Sequence, residues 1–420
     1  MKRLMVLNLY FAPESFGGAT VVAEQTVKRL QARGDWSCLV VTTMRDLALP
    51  PYFLRRYRID GVNVVAINMP HAAHGEAVYR DPEVARRISE IASAFRPDVC
   101  HSHSIQLMGC EVFGELQQAG VKLAVTLHDC WWLCERQFMI NADGYYCNQW
   151  QIDSRQCRQC VVDAREFRRR DQYLREQLDT VDLLLFPSDF HMRLHLANGI
   201  PAERSRVNGN GVVLPGESFA NQQQSARVGR SQTVFGFVGG PGAIKGADHI
   251  VQACNAMERT DYTLKVVDAA RNMGASWKDT GYWQIPGSME FCPPYQQSTM
   301  DDFFSGIDVL LFPSQWKESF GLTVREALAR NVWVIATDAG GVAEDLEHGV
   351  NATVLPFGSG SGELRAAMEE ALDCARWRDY TNPFSGKIRG FDEQAQELSG
   401  YLEALPDQPN ADRAAPIATE

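Results

Sequence analysis

Long apolar runs are absent: no stretch of the 420 residues approaches the eighteen or more that a membrane-spanning helix needs. Positive charge is not in excess either. Lys and Arg number 41 against 52 Asp and Glu, a formal net charge of -11, which argues against nucleic acid as a partner but leaves room for a local basic patch. No G-x-G-x-x-G follows the first apolar stretch, and Lys245, at the end of a glycine-rich run, precedes Gly246 where a P-loop requires Ser or Thr. The chain therefore lacks both the dinucleotide and the mononucleotide fingerprints. The opening residues MKRLMVLNLYF carry no small-residue cleavage site and run into Gly17 and Gly18, so they read as a first buried strand instead of a secretory signal. Eleven cysteines make an odd number for a disulfide framework, and five fall between Cys130 and Cys160. That clustering suits a reduced, cytosolic compartment with a local metal or structural cluster.

What is present is an α/β pattern. A chain of this length, 45% hydrophobic and 22% charged, is too long for one ordinary core and predicts two domains of about 150 to 220 residues each. Apolar runs at Leu4 to Leu9, Ser37 to Thr42, Val62 to Ile67 and Lys122 to Leu127 read as strands, with helices at Thr20 to Ala32 and Pro82 to Phe95 between them. Alternation of this kind predicts parallel sheets. The phrase VDLLLFPS ending at Ser188 returns as IDVLLFPS ending at Ser314, so two domains of similar logic are expected. Gly, Asn, Gln and Ser crowd residues 207 to 233, which places the boundary near 215 to 230. The expected division is an N-terminal domain over 1–220 with a Cys-rich insertion around 130–175, a second domain over 230–385, a last helix within 386–405, and a disordered tail at 406–420.

Several residues have chemistry to offer. Gly17 and Gly18, between a strand and a helix, permit close backbone approach to a ligand, or simply a tight turn. His101 and His103 leave a short strand on the same side, and His128 with Asp129 ends another, where an imidazole can donate to an oxygen or exchange a proton. Cys157 and Cys160 form C-x2-C, and with Cys134 and Cys147 could supply a tetrahedral structural zinc, with Cys130 as a competing ligand. Arg55, Arg56 and Arg58 among Tyr52, Phe53 and Tyr57 suit either a surface loop or an anionic membrane surface. Arg165, Arg168, Arg169 and Arg170 suit either a solvated helix face or an acceptor phosphate, and His191 and His195 read as surface groups. In the second half, Gly239, Gly240 and Gly242 expose backbone donors beside Lys245, a mobile point charge for an anionic oxygen. Glu318 closes a strand-to-loop segment and Glu326 follows on a helix, bracketing the carboxyl end of a strand where open α/β sheets bind ligands. Helix capping or simple solvation of those carboxylates is the plainer alternative.

Glu318, Ser319, Phe320, Gly321, Leu322 and Glu326 resemble the glutamate, seven residues, glutamate signature of retaining GT-B glycosyltransferases of the group 1 type. His128 with Asp129, and Lys245 in its glycine loop, resemble further parts of that family's site. The resemblance implies a GT-B fold, two Rossmann-like parallel-sheet domains facing across a cleft. It implies transfer of a sugar from a UDP- or GDP-sugar to a glycan or polyprenyl-linked acceptor in surface polysaccharide synthesis, with retention and no catalytic metal. By the same resemblance Lys245 stabilises the departing diphosphate, Glu318 and His128 lie near the donor sugar, and Glu326 holds the ribose. Gly17, Gly18, Gly240, Phe320, Gly321 and Leu322 are implied donor contacts. Phe291 and Pro293 are implied base contacts, and His103 an acceptor-side residue. The implied location is the cytoplasm, peripheral on the inner face of the membrane. Relatives carry an arginine near the first glycine of the Lys245 loop, where this chain has Gly240 and Pro241. That departure favours the alternative of a non-catalytic nucleotide-sugar-binding or scaffold protein.

Overall fold

A computed structural model describes residues 1–15, 17–70, 75–161, 163–240, 243–274, 276–374 and 376–406. They divide into two compact units: 1–137 with 149–211 and the chain from Phe391 onward, and 138–148 with 212–390. Gly242 and the tail beyond residue 406 lie outside the described residues.

The first unit holds an eight-stranded sheet of β1 (Lys2–Leu7), β2 (Trp36–Met44), β3 (Leu54–Ile59), β4 (Val62–Asn68), β5 (Val99–Ser102), β6 (Lys122–Thr126), β7 (Leu183–Phe186) and β8 (Ser205–Val207). Its order is β3-β4-β2-β1-β5-β6-β7-β8, and every pairing is parallel except β3 with β4. Period-two alternation sends Met5 and Leu7 into one core and Leu4 and Val6 into the other. Such a sheet is covered on both faces, which is why its central strands read as unbroken apolar runs. Helix Pro82–Phe95 starts where Asp81 accepts from the amides of Glu83 and Val84, with Pro82 at the first helical position. Helix Phe391–Glu403 completes the second core with Ala395, Leu398 and Leu402 and packs against helix Gly18–Arg33.

Arg55, Arg56 and Arg58 sit on β3, an edge strand, and not in a loop. Leu54, Tyr57 and Ile59 are half-buried while the three arginines are exposed. The missed signal is Asp60-Gly61, whose φ values of 48 and 78 are those of a two-residue hairpin turn. Arginines along an edge also discourage pairing with another chain.

The second unit holds β9 (Thr233–Phe237), β10 (Tyr262–Val267), β11 (Ser288–Cys292), β12 (Val309–Phe312), β13 (Trp333–Thr337) and β14 (Ala352–Leu355), all parallel, in the order β11-β10-β9-β12-β13-β14. Counted from β9 this is 3-2-1-4-5-6, the Rossmann order, with its topological switch point between β9 and β12. The first unit repeats the logic around β1 and β5. The division between units falls at Gly211 and Val212, inside the polar stretch 207–233 and upstream of the boundary expected at 215 to 230. That stretch contains helix Phe219–Arg227, held by buried Phe219 and by Gln223 Nε2 donating to the Arg330 carbonyl at 3.0 Å.

Candidate active site

At the switch point of the second unit, three loops leave the carboxyl ends of β9, β12 and β13 and are knitted together through backbone. Gln315 N donates to Ile244 O at 2.7 Å, Glu318 N to Ala339 O at 3.0 Å, and Gly341 N to Glu318 O at 2.9 Å. Gly246 makes the first approach feasible. Its φ is +77, and a Cβ there would stand 2.1 Å from the Pro313 carbonyl oxygen. Within this knot Lys245 Nζ meets Glu318 Oε1 at 2.7 Å, and the Ser314 hydroxyl donates to the same oxygen at 2.9 Å. Lys245 also lies over the Trp316 ring, 5.2 Å from its centroid. The lysine is partly exposed and the carboxylate buried, so the one mobile charge of the pair is the ammonium.

Helix Leu322–Ala329 begins at Gly321, whose φ is +86 and whose added Cβ would lie 2.6 Å from Val342 Cγ2. Arg325 ties the helix to the loop after β13, pairing with Asp345 at 2.6 Å and donating to Gly341 O at 2.7 Å. The Phe320 ring is buried beneath that guanidinium, 4.1 Å from its centroid to the carbon. Glu326 faces Tyr295, whose hydroxyl donates to its Oε2 at 3.3 Å. Burial pushes the Glu326 carboxyl up to about 7, against the pull of the Arg330 charge and the tyrosine hydroxyl. Arg330 is itself fully buried and held by Asp301 at 2.7 Å. Tyr295, Arg325 and Arg330 carry no spacing signal in the sequence. Their partners are 20 to 31 residues away in the chain, so only tertiary structure reveals them. Gly240 has a φ of +70, Leu322 is half-buried, and half-buried Phe291 and exposed Pro293 stand at the end of β11.

In the first unit, Gly17 has φ 82 and precedes helix Gly18–Arg33 without a side-chain cap. Buried Asn8 links the loops after β1 and β5: its Oδ1 accepts from Ser104 N at 3.1 Å, and Leu9 N donates to Ser104 O at 2.6 Å. At the ends of β5 and β6 the histidines form a cluster. His103 Nδ1 and His128 Nε2 are 2.8 Å apart, and His101 Nε2 is 2.8 Å from the Thr126 hydroxyl. Burial lowers His101 to about 3 and His128 to about 4, and drives His103 well below the ordinary imidazole range, so all three are neutral at pH 7. Burial thus favours the neutral form of His128 over the proton exchange near neutrality expected of it. Asp129 binds Trp131 N at 2.8 Å and Gln137 Nε2 at 2.7 Å, which shapes the turn that follows.

His191 and His195 are buried, not surface groups. His191 donates from Nε2 to Asp129 O at 3.2 Å, and His195 from Nδ1 to His191 O at 2.9 Å. Arg170 likewise leaves the basic face for the interior, donating to Trp131 O at 2.5 Å over that residue's ring. The expected four-cysteine zinc site finds no support. Among the described residues no group of three or more His, Cys, Asp or Glu is placed to hold a metal ion. Cys147 belongs to the segment 138–148 that groups with the second unit, whereas Cys134, Cys157 and Cys160 group with the first. Asn141 orders the 138–148 turn through Asx-type bonds from Asp143 N and Tyr145 N to its Oδ1. Phe138 packs edge-on to Trp316, 4.9 Å between centroids.

Two Rossmann-ordered sheets, the second carrying a lysine and two glutamates around its switch point, define a GT-B architecture. Residues 17–211 match the family model for the glycosyl transferase 4-like domain, and residues 218–383 the model for glycosyl transferases group 1. The chain belongs to this family of GT-B glycosyltransferases, enzymes that act on nucleotide-sugar donors. Among solved structures it resembles sucrose-phosphate synthase from Thermosynechococcus elongatus, with TM-score 0.69 and 14% identity over 96% of this chain and 99% of that one. HepE from Anabaena, in complex with UDP and glucose, gives TM-score 0.64 and 16% identity over 96% and 100%. WaaG, a glycosyltransferase involved in lipopolysaccharide biosynthesis, gives 0.64 and 14% over 96% and 100%. A curated relative, an uncharacterized 41.2 kDa protein in the cps region of Klebsiella pneumoniae, is 22% identical over 206 residues, 48% of this chain and 56% of that protein. The match thus spans little more than half of that relative.

Proposed function

We propose that this protein is a retaining glycosyltransferase that moves a sugar from a UDP- or GDP-sugar to a glycan or polyprenyl-linked acceptor in surface polysaccharide synthesis. The Lys245–Glu318 pair at the switch point, with Glu326 on the adjoining helix, carries the reading. Lys245 leaves Glu318 for the donor diphosphate and stabilises the charge that develops as the sugar departs. Glu318 and His128 contact the sugar, and Glu326 accepts from the ribose hydroxyls. Gly17, Gly18, Gly240, Phe320, Gly321 and Leu322 contribute backbone contacts, and Phe291 with Pro293 borders the base. His103 belongs to the acceptor side. The bond from the anomeric carbon to the phosphate oxygen breaks while the bond to the acceptor oxygen forms on the same face. The acceptor proton passes to the departing phosphate, so no metal is required. The HepE complex with UDP and glucose supports the donor class, and the cps-region and lipopolysaccharide relatives support the pathway class.

A cytoplasmic enzyme peripheral on the inner membrane face fits a lipid-linked acceptor, and exposed Arg55, Arg56 and Arg58 beside exposed Phe53 offer the contact. Among the described residues no helix is long and apolar enough to cross a membrane. Co-sedimentation with vesicles containing phosphatidylglycerol, lost on replacing the three arginines by alanine, is the expected result. Equal binding by that variant would remove the surface from consideration.

Screening UDP- and GDP-sugars for hydrolysis or transfer by the purified protein, beside K245A and E326A, tests the reaction. Turnover that survives both substitutions would sink the site. Nucleotide binding without turnover is the outcome for a non-catalytic binding protein, a reading favoured by the absence of arginine in the sequence 238–246.

A further inference from the structure

The most unusual chemistry outside the lysine and glutamate site is the buried histidine cluster at the ends of β5 and β6. His103 is fully buried, its Nδ1 lies 2.8 Å from His128 Nε2, and the two rings are nearly parallel, 17° between planes. A neutral imidazole has one donor and one acceptor nitrogen, so one ring of the pair must donate to the other. The remaining nitrogen of His103, Nε2, is buried without a partner. If it carried the proton it would be a buried N–H with nothing to bond, whereas a bare ring nitrogen there leaves only an acceptor unfilled, the lesser fault. The same economy appears next door. His195 gives its Nδ1–H to the His191 carbonyl, which can only accept, and it is His195 Nε2 that is left without a partner.

We propose that His103 is a positioning residue that donates its Nδ1–H to His128 Nε2 and thereby fixes His128 as the neutral tautomer with its proton on Nδ1. His128 then presents a hydrogen-bond donor, never a base, to an oxygen of the bound sugar. This rests on the assignment of His128 to the donor sugar above. The groups around the pair are His101, whose ring centroid is 4.1 Å from that of His103, Thr126, which holds His101, and His191 and Asp129 on the far side. Burial keeps all four imidazoles on the neutral side at pH 7, so the arrangement needs no countercharge.

Two measurements test it. In wild-type protein labelled with 15N-histidine, long-range 1H–15N correlation should show His128 protonated on Nδ1, with Nε2 in the acceptor range. The opposite pattern overturns the proposal. In kinetics, H103L removes the donor, and kcat should fall about 3- to 10-fold, the loss of one hydrogen bond, with the donor KM unchanged. The pH profile should keep its shape, because burial and not His103 holds His128 neutral. H103N places an amide donor where Nδ1 stood and should recover most of the rate. Wild-type kcat in H103L, or equal losses in H103L and H103N when both fold, refute a positioning role. The tautomer spectrum is independent of turnover, so a protein that proved inactive would overturn the donor assignment while His103 was still judged on its own.

Discussion

Lys245 pairs with Glu318, and this sets what its removal does. K245A deletes the cation and leaves a buried carboxylate with only the Ser314 hydroxyl for support. The expected loss in kcat is roughly 100- to 1,000-fold, the usual scale for one group stabilising developing negative charge, read in steady-state assays with the donor identified by the screen. Glu326 behaves differently because burial dominates it. Its folded value of about 7 lies above the ordinary glutamate value, so the folded state holds the proton more tightly. Stability linked to this group is present below about pH 4.5 and is lost as pH rises toward 7, by at most about 3 kcal/mol. E326Q should therefore match wild type in urea melts at pH 5 and exceed it at pH 8. Donor affinity should move the other way, rising through pH 7 as the carboxylate becomes an acceptor for ribose hydroxyls, while E326Q stays flat. A wild-type protein whose stability does not fall from pH 5 to pH 8 would contradict the burial of this group.

At the scale of elements, the site is a junction of loops whose spacing depends on Gly246 and Gly321. Gly246 and Gly240 share a left-handed φ, but only Gly246 has a carbonyl in the way of a Cβ. G240A should cost about 1 to 2 kcal/mol from backbone conformation alone. G246A should cost well over that, about 3 kcal/mol or more, and should also lower activity by moving the Lys245 turn away from Pro313. Comparing the two by thermal melts separates conformation from close approach, and equal melting temperatures would show that the loops do not pack as described. The hairpin of β3 and β4 teaches a related lesson. Its turn, Asp60-Gly61, is local and legible, whereas the period-two alternation of Leu54 to Ile59 is masked by arginines at the exposed positions. The burial of His191 and His195 is hidden for the converse reason: histidine is polar on average, and nothing local shows that the Asp129 carbonyl pairs with one of them.

At the scale of the molecule, the chain order and the unit order differ. Residues from Phe391 return to the first unit, where Trp36 Nε1 donates to the Ser399 hydroxyl at 2.8 Å and Leu398 and Leu402 fill the core. A chain ending at Gly390 should leave the first unit open to protease while the second resists. Digestion that spared both equally would show the helix to be dispensable. The sequence alone determined the alternating α/β pattern and the doubled LLFPS strands, and its resemblance to a family picked out Lys245, Glu318, Glu326 and His128 as candidates. These are written in local periodicity and short motifs, and each strand buried on both faces must be apolar throughout. Only the tertiary structure decided which loops meet at the switch point, that Lys245 and Glu318 pair across 73 residues of chain, that Arg170 belongs to a core, and that the cysteines from 134 to 160 divide between two units. A hydrogen bond or a ligand set depends on where side chains arrive in space, and separation along the chain carries no record of it.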